Sequence, residues 1–291
     1  MQQKYVKCPL CGLNYMPEGE EACLVCKPVE PVQQTKRRGR TAGAPKPKLE
    51  GNVAFKCNYC DGGTDDVRLG FSKVCSPDNI RHNIEIKPRA WCKDSACKCA
   101  AYFDGQLPYA ELEKEFPCCE SRILIDWKVQ IGANKAEGAR KGRHRKISRD
   151  VTSGLGILTA LLPGRQEGER AVFGVFIVDK SVECDANGAE GFVQCTTEYK
   201  LQLSPDEAQK ILFWNYFFCA EAPNAMRWKR QYRYLDDMQC AQILRDIAAV
   251  KAGTADEARA KEMLYQYCES KGIFYSVIPK NCGALTRRTD V

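Results

Sequence analysis

Apolar and polar positions divide the chain into a first half rich in cysteine and a second half with regular periodicity. The run AVFGVFIV at 171–178 is continuously apolar and rich in β-branched and aromatic residues, which predicts a central strand. GFVQCTTEYKLQL at 191–203 alternates well enough to predict one or two further strands. The second half is therefore expected to begin with a sheet.

Three helices are predicted after these strands. SPDEAQKILFWNYFF (204–218) opens with a capping box and has proline at its first helical position. After a short aromatic and basic link, RWKRQYRYL (227–235), DDMQCAQILRDIAAVKAG (236–253) predicts a second helix that ends at a glycine. TADEARAKEMLYQYCESKG (254–272) repeats the capping box and predicts a third helix with a glycine stop. Strands followed by helices predict an α+β fold for residues 151–291.

Two CxxC pairs lie within the first 28 residues. Cys8 and Cys11 stand in CPLCG, and Cys23 and Cys26 stand in CLVCK, with eleven residues between the pairs. Each CxxC turn aims two thiolates at one tetrahedral ion, so these four cysteines predict one structural zinc in a zinc ribbon over 1–28. Such a closed site leaves no position for a substrate. The alternative is a chance pairing or a redox dithiol.

Residues 53–131 hold eight more cysteines. A CNYC turn, short strands, the cluster WCKDSACKC and a later helical pattern have the layout of a treble-clef-like zinc domain. An amphipathic helix is predicted from Cys119 to Gln130. The predicted ligands of the ion in this domain are Cys57, Cys60, Cys92, Cys97 and Cys99. A further ion would draw on Cys75, Cys99, Cys118 or Cys119.

Two or three zinc ions are therefore expected. Spacing leaves open which thiolates share an ion, and it leaves an iron–sulfur cluster as an alternative.

The other six of the eighteen cysteines are isolated from one another, which predicts small buried side chains. The N-terminus lacks the apolar stretch of a secretory signal, and no run approaches the roughly 18 apolar residues of a membrane span. The expected location is the cytoplasm, where thiols stay reduced.

Positive charge is concentrated in two stretches. Residues 36–48 hold six Lys or Arg, and residues 135–149 hold seven against one Glu, so together they carry +12 while the whole chain carries +7. Such segregation is typical of a protein that binds a polyanion, although a solvated basic loop is the alternative. The candidate contacts to a nucleic-acid backbone are Arg37, Arg38, Arg40, Arg140, Lys141, Arg143, Arg145 and Lys146.

These basic residues lie in two predicted linkers, 29–52 and 132–150. The first linker is rich in proline and has almost no large apolar residue. Its TKRRGRTAG stretch resembles an AT-hook, which implies DNA rather than RNA as the partner.

The order of elements in the second half resembles the PUA-like superfamily, especially its EVE and YTH-type members. The resemblance covers about residues 155–250 and lies in the strands AVFGVFIVDK and YKLQL, the helix SPDEAQKILFWNYFF and the link RWKRQYRYL. It implies a small β-barrel with flanking helices over 151–291, which holds a modified or flipped base in an aromatic-lined pocket. The pocket residues that it implies are Trp214, Asn215, Trp228, Tyr232 and Arg233.

The sequence thus predicts two small zinc modules followed by a PUA-like domain, in a protein that recognises a modified base in DNA. Catalysis is not expected, because the chain lacks a phosphate-cradling glycine loop and has no histidine beside its C-terminal cysteines. Two alternatives stay open. One is an HNH-like nuclease or restriction component built around His82, or a reader whose protein partner supplies the nuclease. The other is a zinc-dependent protein-interaction adaptor.

Overall fold

The computed structural model describes residues 5–7, 9, 15–17, 48–114, 118–131, 146–184 and 190–289. Helices and strands are mixed in these residues, which confirms the predicted α+β class. None of the described helices has the length and apolar character needed to cross a membrane.

The strands of the described residues form three sheets. They are β1 Tyr5–Lys7, β2 Tyr15–Pro17, β3 Asn52–Cys57, β4 Lys128–Ile131, β5 Leu155–Ala160, β6 Ala171–Ile177, β7 Lys180–Val182, β8 Gly191–Gln194, β9 Lys200–Gln202 and β10 Tyr232–Leu235. The largest sheet has the order β10-β3-β5-β6-β9, the second has the order β4-β8-β7, and β1 pairs with β2. All pairings are antiparallel except that of β3 with β5, which is parallel.

Helices cover the sheets and connect them. They are α1 Pro77–Arg81, α2 Lys98–Phe103, α3 Tyr109–Lys114, α4 Ile123–Asp126, α5 Pro205–Lys210, α6 Asp237–Val250, α7 Glu257–Ser270 and α8 Thr286–Thr289. A π-helical turn at His82–Ile86 continues α1, and 3-10 turns lie at Glu120–Arg122, Glu167–Glu169, Phe213–Asn215 and Tyr275–Val277.

The strand β3 ties the two predicted domains together. It comes from region 53–131, but it pairs with β5 on one side and with β10 on the other. Its residues Val53, Ala54 and Phe55 are buried in one hydrophobic core that continues through β5 and β6. Regions 53–131 and 151–291 therefore share a sheet and a core.

The five-stranded sheet does not close on itself within the described residues. Strands β10 and β9 form its two edges, and the three-stranded sheet is separate. The described residues therefore confirm the α+β class, but they do not form the β-barrel that the family resemblance implies.

Local signals predicted several elements correctly. The apolar run at 171–178 forms β6, an inner strand of the large sheet. The capping box at the start of α5 is present, because the Ser204 hydroxyl accepts from the Glu207 amide and the Glu207 carboxylate accepts from the Ser204 amide. Helices α6 and α7 lie where the periodicity predicted them.

Two predicted helices are much shorter than expected. The helix predicted over 204–218 ends at Lys210, because the next residues pair with the start of β6: the Ile211 carbonyl accepts from the Val172 amide, and the Phe213 amide donates to the Arg170 carbonyl. The helix predicted over 119–130 ends at Trp127, whose φ of 47° is left-handed, and the chain continues as β4.

Two further expectations are wrong. The predicted link at 227–235 contains β10, which is recruited to the sheet by pairing with β3. The capping box predicted at Thr254 does not form, because α7 begins after Asp256 and the Glu257 carboxylate accepts from the Gly253 amide instead.

Candidate nucleic-acid interface

The two basic stretches enter the described fold at one place. Glu50 and Asp150 form a parallel β-bridge, the Asp150 amide donates to the Leu49 carbonyl, and the Gly51 amide donates to the Asp150 carbonyl, both at 2.9 Å. The ends of the stretches at 36–48 and 135–149 are therefore adjacent. Of the predicted backbone contacts, Lys146 is described and is exposed. The other seven, Arg37, Arg38, Arg40, Arg140, Lys141, Arg143 and Arg145, lie outside the described residues.

Two tyrosines of β10 fasten the second basic stretch to the sheet. The Tyr232 hydroxyl donates to the Lys146 carbonyl, and the Tyr234 oxygen accepts from the amides of Ser148 (2.8 Å) and Arg149 (3.3 Å). The Arg149 guanidinium also lies 4.7 Å from the centre of the Tyr234 ring. Tyr232 was predicted to line a base pocket, and the structure places it against the basic stretch instead.

Arg233, which lies between these two tyrosines in β10, faces the other side of the sheet. Side chains alternate along a strand, so Arg233 points away from Tyr232 and Tyr234. Its guanidinium carbon lies 5.6 Å from the Trp214 ring, 4.8 Å from the Phe217 ring and 5.6 Å from the Trp228 ring. Three of the five predicted pocket residues, Trp214, Trp228 and Arg233, therefore lie together. The first and the last of them are 19 positions apart in the sequence.

We call Phe213, Trp214, Phe217 and Trp228 the aromatic cluster. The rings of Trp214 and Trp228 are 6.4 Å apart at 81°, and Phe213 lies 4.5 Å from Trp228. Trp214 is fully buried and Trp228 is 5% exposed. Asn215, the remaining predicted pocket residue, is half-buried, and its backbone carbonyl accepts from the Gly283 amide.

A second guanidinium, that of Arg170, also lies against the aromatic cluster. Arg170 is 1% exposed, and its guanidinium lies 5.1 Å from the Trp228 ring. Glu167 holds it with two hydrogen bonds, from Nε at 2.6 Å and from Nη2 at 2.9 Å. Burial, followed by the charge of Arg170, lowers the pKa of the neighbouring Lys56, and burial also lowers the pKa of Arg233. The positive charges of Arg170, Lys56 and Arg233 thus lie in surroundings that are partly removed from water.

Four buried N–H donors around this cluster have no hydrogen-bond partner among the described residues. They are Arg170 Nη1, Trp214 Nε1, Trp228 Nε1 and Arg233 Nε. An unpaired buried donor costs about 1–3 kcal/mol, so native proteins rarely keep several of them together.

A surface cavity of about 710 Å³ is lined by residues close in the chain to Arg170 and Trp228, but not by the cluster itself. One wall is formed by residues 166–168 and the other by residues 222–227. Glu167 in the first wall is the residue that holds Arg170. The carbonyl of Arg227 in the second wall accepts a hydrogen bond from Arg233 Nη2.

The cysteines predicted to bind zinc form two thiol pairs in region 53–131. Cys75 lies beside Cys60, which raises the pKa of its thiol, and Cys99 lies beside Cys97, which likewise raises the pKa of Cys99. The Cys60 thiol itself donates to the Lys73 carbonyl at 3.4 Å. The hydrogen bond from Cys99, with contributions from backbone amides, lowers the pKa of Cys97 to about 6. Cys60 therefore lies beside Cys75, which the sequence analysis assigned to a possible further ion.

Cys57 and Cys92 differ from these pairs. Burial raises the pKa of Cys57, and its main charged neighbour is Glu120 rather than another cysteine. Burial and Glu120 raise the pKa of the half-buried Cys92 to about 12.

Across the described residues, no three His, Cys, Asp or Glu side chains converge in a way that could hold a metal ion. Cys8, Cys11, Cys23 and Cys26 lie outside those residues, so their zinc site stays a prediction. The strands β1 and β2, which pair with Tyr5 opposite Pro17, flank Cys8 and Cys11 in the sequence. His82, the centre of the nuclease alternative, is half-buried in the π-helical turn.

Arg170 and the 222–227 wall were not anticipated from the sequence. In GERAVFGV the arginine reads as the last polar residue before a strand, and nothing local marks it as the partner of Trp228. Its position depends on the pairing of residues 211–213 with the start of β6, which is a contact between distant parts of the chain.

Comparisons with known proteins find no matching family model, no matching curated protein and no matching solved structure.

Proposed function

We propose that this protein binds nucleic acid through its two basic stretches and recognises a modified base in DNA at the aromatic cluster. The observation that carries the proposal is the bridge between Glu50 and Asp150, which joins the ends of both basic stretches. The two stretches together hold thirteen Lys or Arg residues. Neutralising phosphates with such side chains releases condensed counterions and favours binding.

The strand β10 supports a link between backbone binding and base reading. One face of it holds the basic stretch through Tyr232 and Tyr234, and the other face carries Arg233 within the aromatic cluster. Because β10 is an edge strand of the sheet, a nucleic-acid backbone bound at the basic stretch would reach the cluster by passing around this edge. The exposed side chains of Arg227, Lys229 and Arg230 lie just before β10 and would extend the contact with phosphates.

Base reading also explains why aromatic side chains and a guanidinium are combined here. An extruded base loses stacking, and aromatic or guanidinium planes restore it. The Arg233 guanidinium occupies the space among three rings, so it is the group that would move aside or stack on the entering base. The PUA-like identity of the domain is part of this proposal and rests on the order of its strands and on its aromatic residues.

We also propose structural zinc in the N-terminal part of the chain. Cys8, Cys11, Cys23 and Cys26 would bind one ion, because two CxxC turns supply a tetrahedral thiolate site. A further ion in region 53–131 would draw on Cys60, Cys75, Cys97 and Cys99, which the described residues hold as two separate pairs that the ion would bring together. Thiolates select zinc over hard cations. These ions would stabilise loops and take no part in chemistry.

The test uses the full chain, because a fragment of residues 151–291 would lack the inner strand β3. Binding to matched DNA duplexes with plain or modified cytosine is measured by fluorescence anisotropy at two salt concentrations. We expect tight binding that weakens steeply with salt, with a preference for one modified duplex. Binding that is independent of salt, or absent for DNA and matched RNA, would overturn the proposal.

A further inference from the structure

Trp91 is the most exposed of the four tryptophans of the chain. It is 39% exposed, whereas Trp127, Trp214 and Trp228 are at most 6% exposed. Trp91 lines a surface cavity of about 310 Å³, and Gln231 is another of the lining residues. This volume lies at the lower end of the range of about 300–1,000 Å³ that is usual for ligand pockets. A ligand in the cavity is therefore in contact with an accessible aromatic side chain.

Cations flank this cavity on both of the chain segments that contribute Trp91 and Gln231. Trp91 follows Arg89 by two positions, and Gln231 directly follows Arg230. The Gln231 carbonyl also accepts a hydrogen bond of 2.7 Å from the Lys56 amide, at the end of β3. We call the six cations of these three places the cationic surface; they are Lys56, Lys87, Arg89, Arg227, Lys229 and Arg230.

Hydrogen bonds hold the parts of the cationic surface together. The Lys56 ammonium donates to the Trp228 carbonyl at 2.9 Å, so it lies against residues 227–230. The Asn83 side chain donates to the Tyr59 carbonyl at 3.2 Å, and the Asn83 carbonyl accepts from the Arg89 amide at 2.8 Å. The loop that carries Arg89 is therefore fastened to the residues just after β3.

The cationic surface lacks counter-charges. Within the described part of the chain, none of its six side chains forms an ion pair with a carboxylate. Burial, followed by the charge of Arg170, lowers the pKa of Lys56. Glu167 raises this pKa, but Arg89 and Lys87 lower it further. A bound polyanion would relieve the repulsion among these cations.

The interior of the cavity has the opposite charge. Asp94, Glu120 and Glu190 are among its lining residues. These carboxylates repel a phosphate, but an uncharged base can enter and donate from an amino group to one of them. Phosphates on a cationic groove and bases on an aromatic side chain are the usual arrangement in proteins that bind single strands.

We infer that a single-stranded segment of nucleic acid crosses the cationic surface and places one base in the cavity beside Trp91. This inference rests on the proposed function, because it specifies the form in which nucleic acid meets this side of the fold. The base must be unpaired, since a base inside a duplex is stacked on both faces. The cysteine-rich region would then contact nucleic acid directly through Trp91 and Arg89.

The experiment titrates the full chain with an oligo(dC) strand of about 12 nucleotides, whose bases all carry an amino group. Anisotropy of a labelled strand gives the affinity, and the intrinsic tryptophan fluorescence is followed with an unlabelled strand. We expect binding to quench this fluorescence, because Trp91 is accessible to a stacking base. Trp91→Phe should remove the quenching, and Trp91→Ala should weaken binding about tenfold.

The matched control is Phe274→Ala, which removes an aromatic side chain that is 75% exposed and lies outside the cavity lining. It should keep both the affinity and the quenching of the wild type. Thermal unfolding midpoints identify a variant that fails to fold. If Trp91→Ala does so, the quenching lost in Trp91→Phe decides the role of Trp91.

A second pair of variants tests the cationic surface. The variant Lys87→Gln/Lys229→Gln/Arg230→Gln removes three exposed charges of this surface. Each phosphate contact to a single strand contributes about 0.7 to the slope of log affinity against log salt, so the slope should be smaller by about 2. The control with the same change in charge replaces the exposed residues Lys210, Lys261 and Lys280 by Gln and should keep the slope of the wild type.

The outcomes separate this inference from the proposed function. Salt-sensitive binding of the strand without quenching, and with unchanged affinity in Trp91→Ala, would overturn the inference and leave nucleic-acid binding in place. Binding of duplex DNA but not of the strand at low salt would do the same. Equal slopes in the two triple variants would overturn the assigned cationic surface. Failure to bind either strand or duplex would overturn the proposed function and, with it, the inference.

Discussion

Glu50 and Asp150 pair as a parallel β-bridge, although 100 residues separate them in the chain. Each residue closely follows the end of a basic stretch, so the bridge fixes where both stretches leave the fold. Two linkers that look independent in the sequence are thereby joined at their described ends.

The Tyr232 and Tyr234 hydroxyls should position the second stretch for binding. The double variant Tyr232→Phe/Tyr234→Phe removes the hydrogen bonds to Lys146, Ser148 and Arg149 but leaves every charge in place. We expect affinity for DNA at low salt to fall about fivefold, since each lost hydrogen bond contributes about 0.5–1.5 kcal/mol. The salt dependence should not change. Tyr265→Phe, on the exposed surface of α7, is the control, and wild-type affinity in the double variant would contradict the assigned role.

Lys251 should be a main stabilising residue of the helical layer. Its ammonium is 2.8 Å from Glu207 and 3.4 Å from Asp256, and the residue is 4% exposed. Lys251→Met leaves both carboxylates without this partner, so the free energy of unfolding in urea should fall by about 3–5 kcal/mol. Lys261→Met breaks only the exposed pair with Glu257, whose attraction is screened by water, so it should leave the free energy of unfolding nearly unchanged. Equal losses in the two variants would show that the burial of Lys251 does not matter.

The thiol pairs predict which cysteine variants lose metal. Cys75 pairs with Cys60, whereas the main charged neighbour of Cys57 is Glu120. We expect Cys75→Ser to reduce the zinc content of the purified protein by one ion per chain, and Cys57→Ser to leave it unchanged. Elemental analysis of the two variants decides between the pairing read from the sequence and the pairing in the structure. Loss of zinc in Cys57→Ser alone would restore the sequence-based assignment.

Chelation should not unfold the large sheet. Strand β3 belongs to the cysteine-rich region, but its backbone is hydrogen-bonded to β5 and β10 and its side chains are buried. After treatment with a strong zinc chelator, we expect hydrogen exchange to accelerate in residues 1–28 and to stay slow in residues 52–57. Rapid exchange throughout β3 would mean that the metal, rather than the sheet, holds this strand.

The sequence predicted those elements whose signals are local. The apolar run of β6 and the Ser204 capping box need only neighbouring residues to be recognised, and both are found as expected. The helices α6 and α7 likewise follow from their periodicity. These features depend on propensity and spacing, which single sequences carry well.

The remaining features depend on contacts between distant residues. The helix predicted over 204–218 stops at Lys210 because residues 211–213 find partners at the start of β6. The strand β10 was read as a link because its pattern is basic and aromatic, and only β3 makes it a strand. Because 227–235 was predicted to be a link, the alternation of side chains along a strand, which puts Tyr232 and Arg233 on opposite faces, was not predicted. The sequence therefore predicted several residues of the candidate site, but not how these residues are arranged in space.

The most direct test of nucleic-acid binding by the converging basic stretches is the salt dependence of DNA affinity. The wild type is compared with a variant in which Arg140, Lys141, Arg143, Arg145 and Lys146 are replaced by Gln. A control of equal charge change replaces the exposed residues Lys114, Lys210, Arg259, Lys261 and Lys280.

Each phosphate contact contributes about 0.9 to the slope of log affinity against log salt, so the slope of the basic-stretch variant should be smaller by about 3 to 4.5. The control should keep the slope of the wild type. Equal slopes in all three proteins would contradict the account.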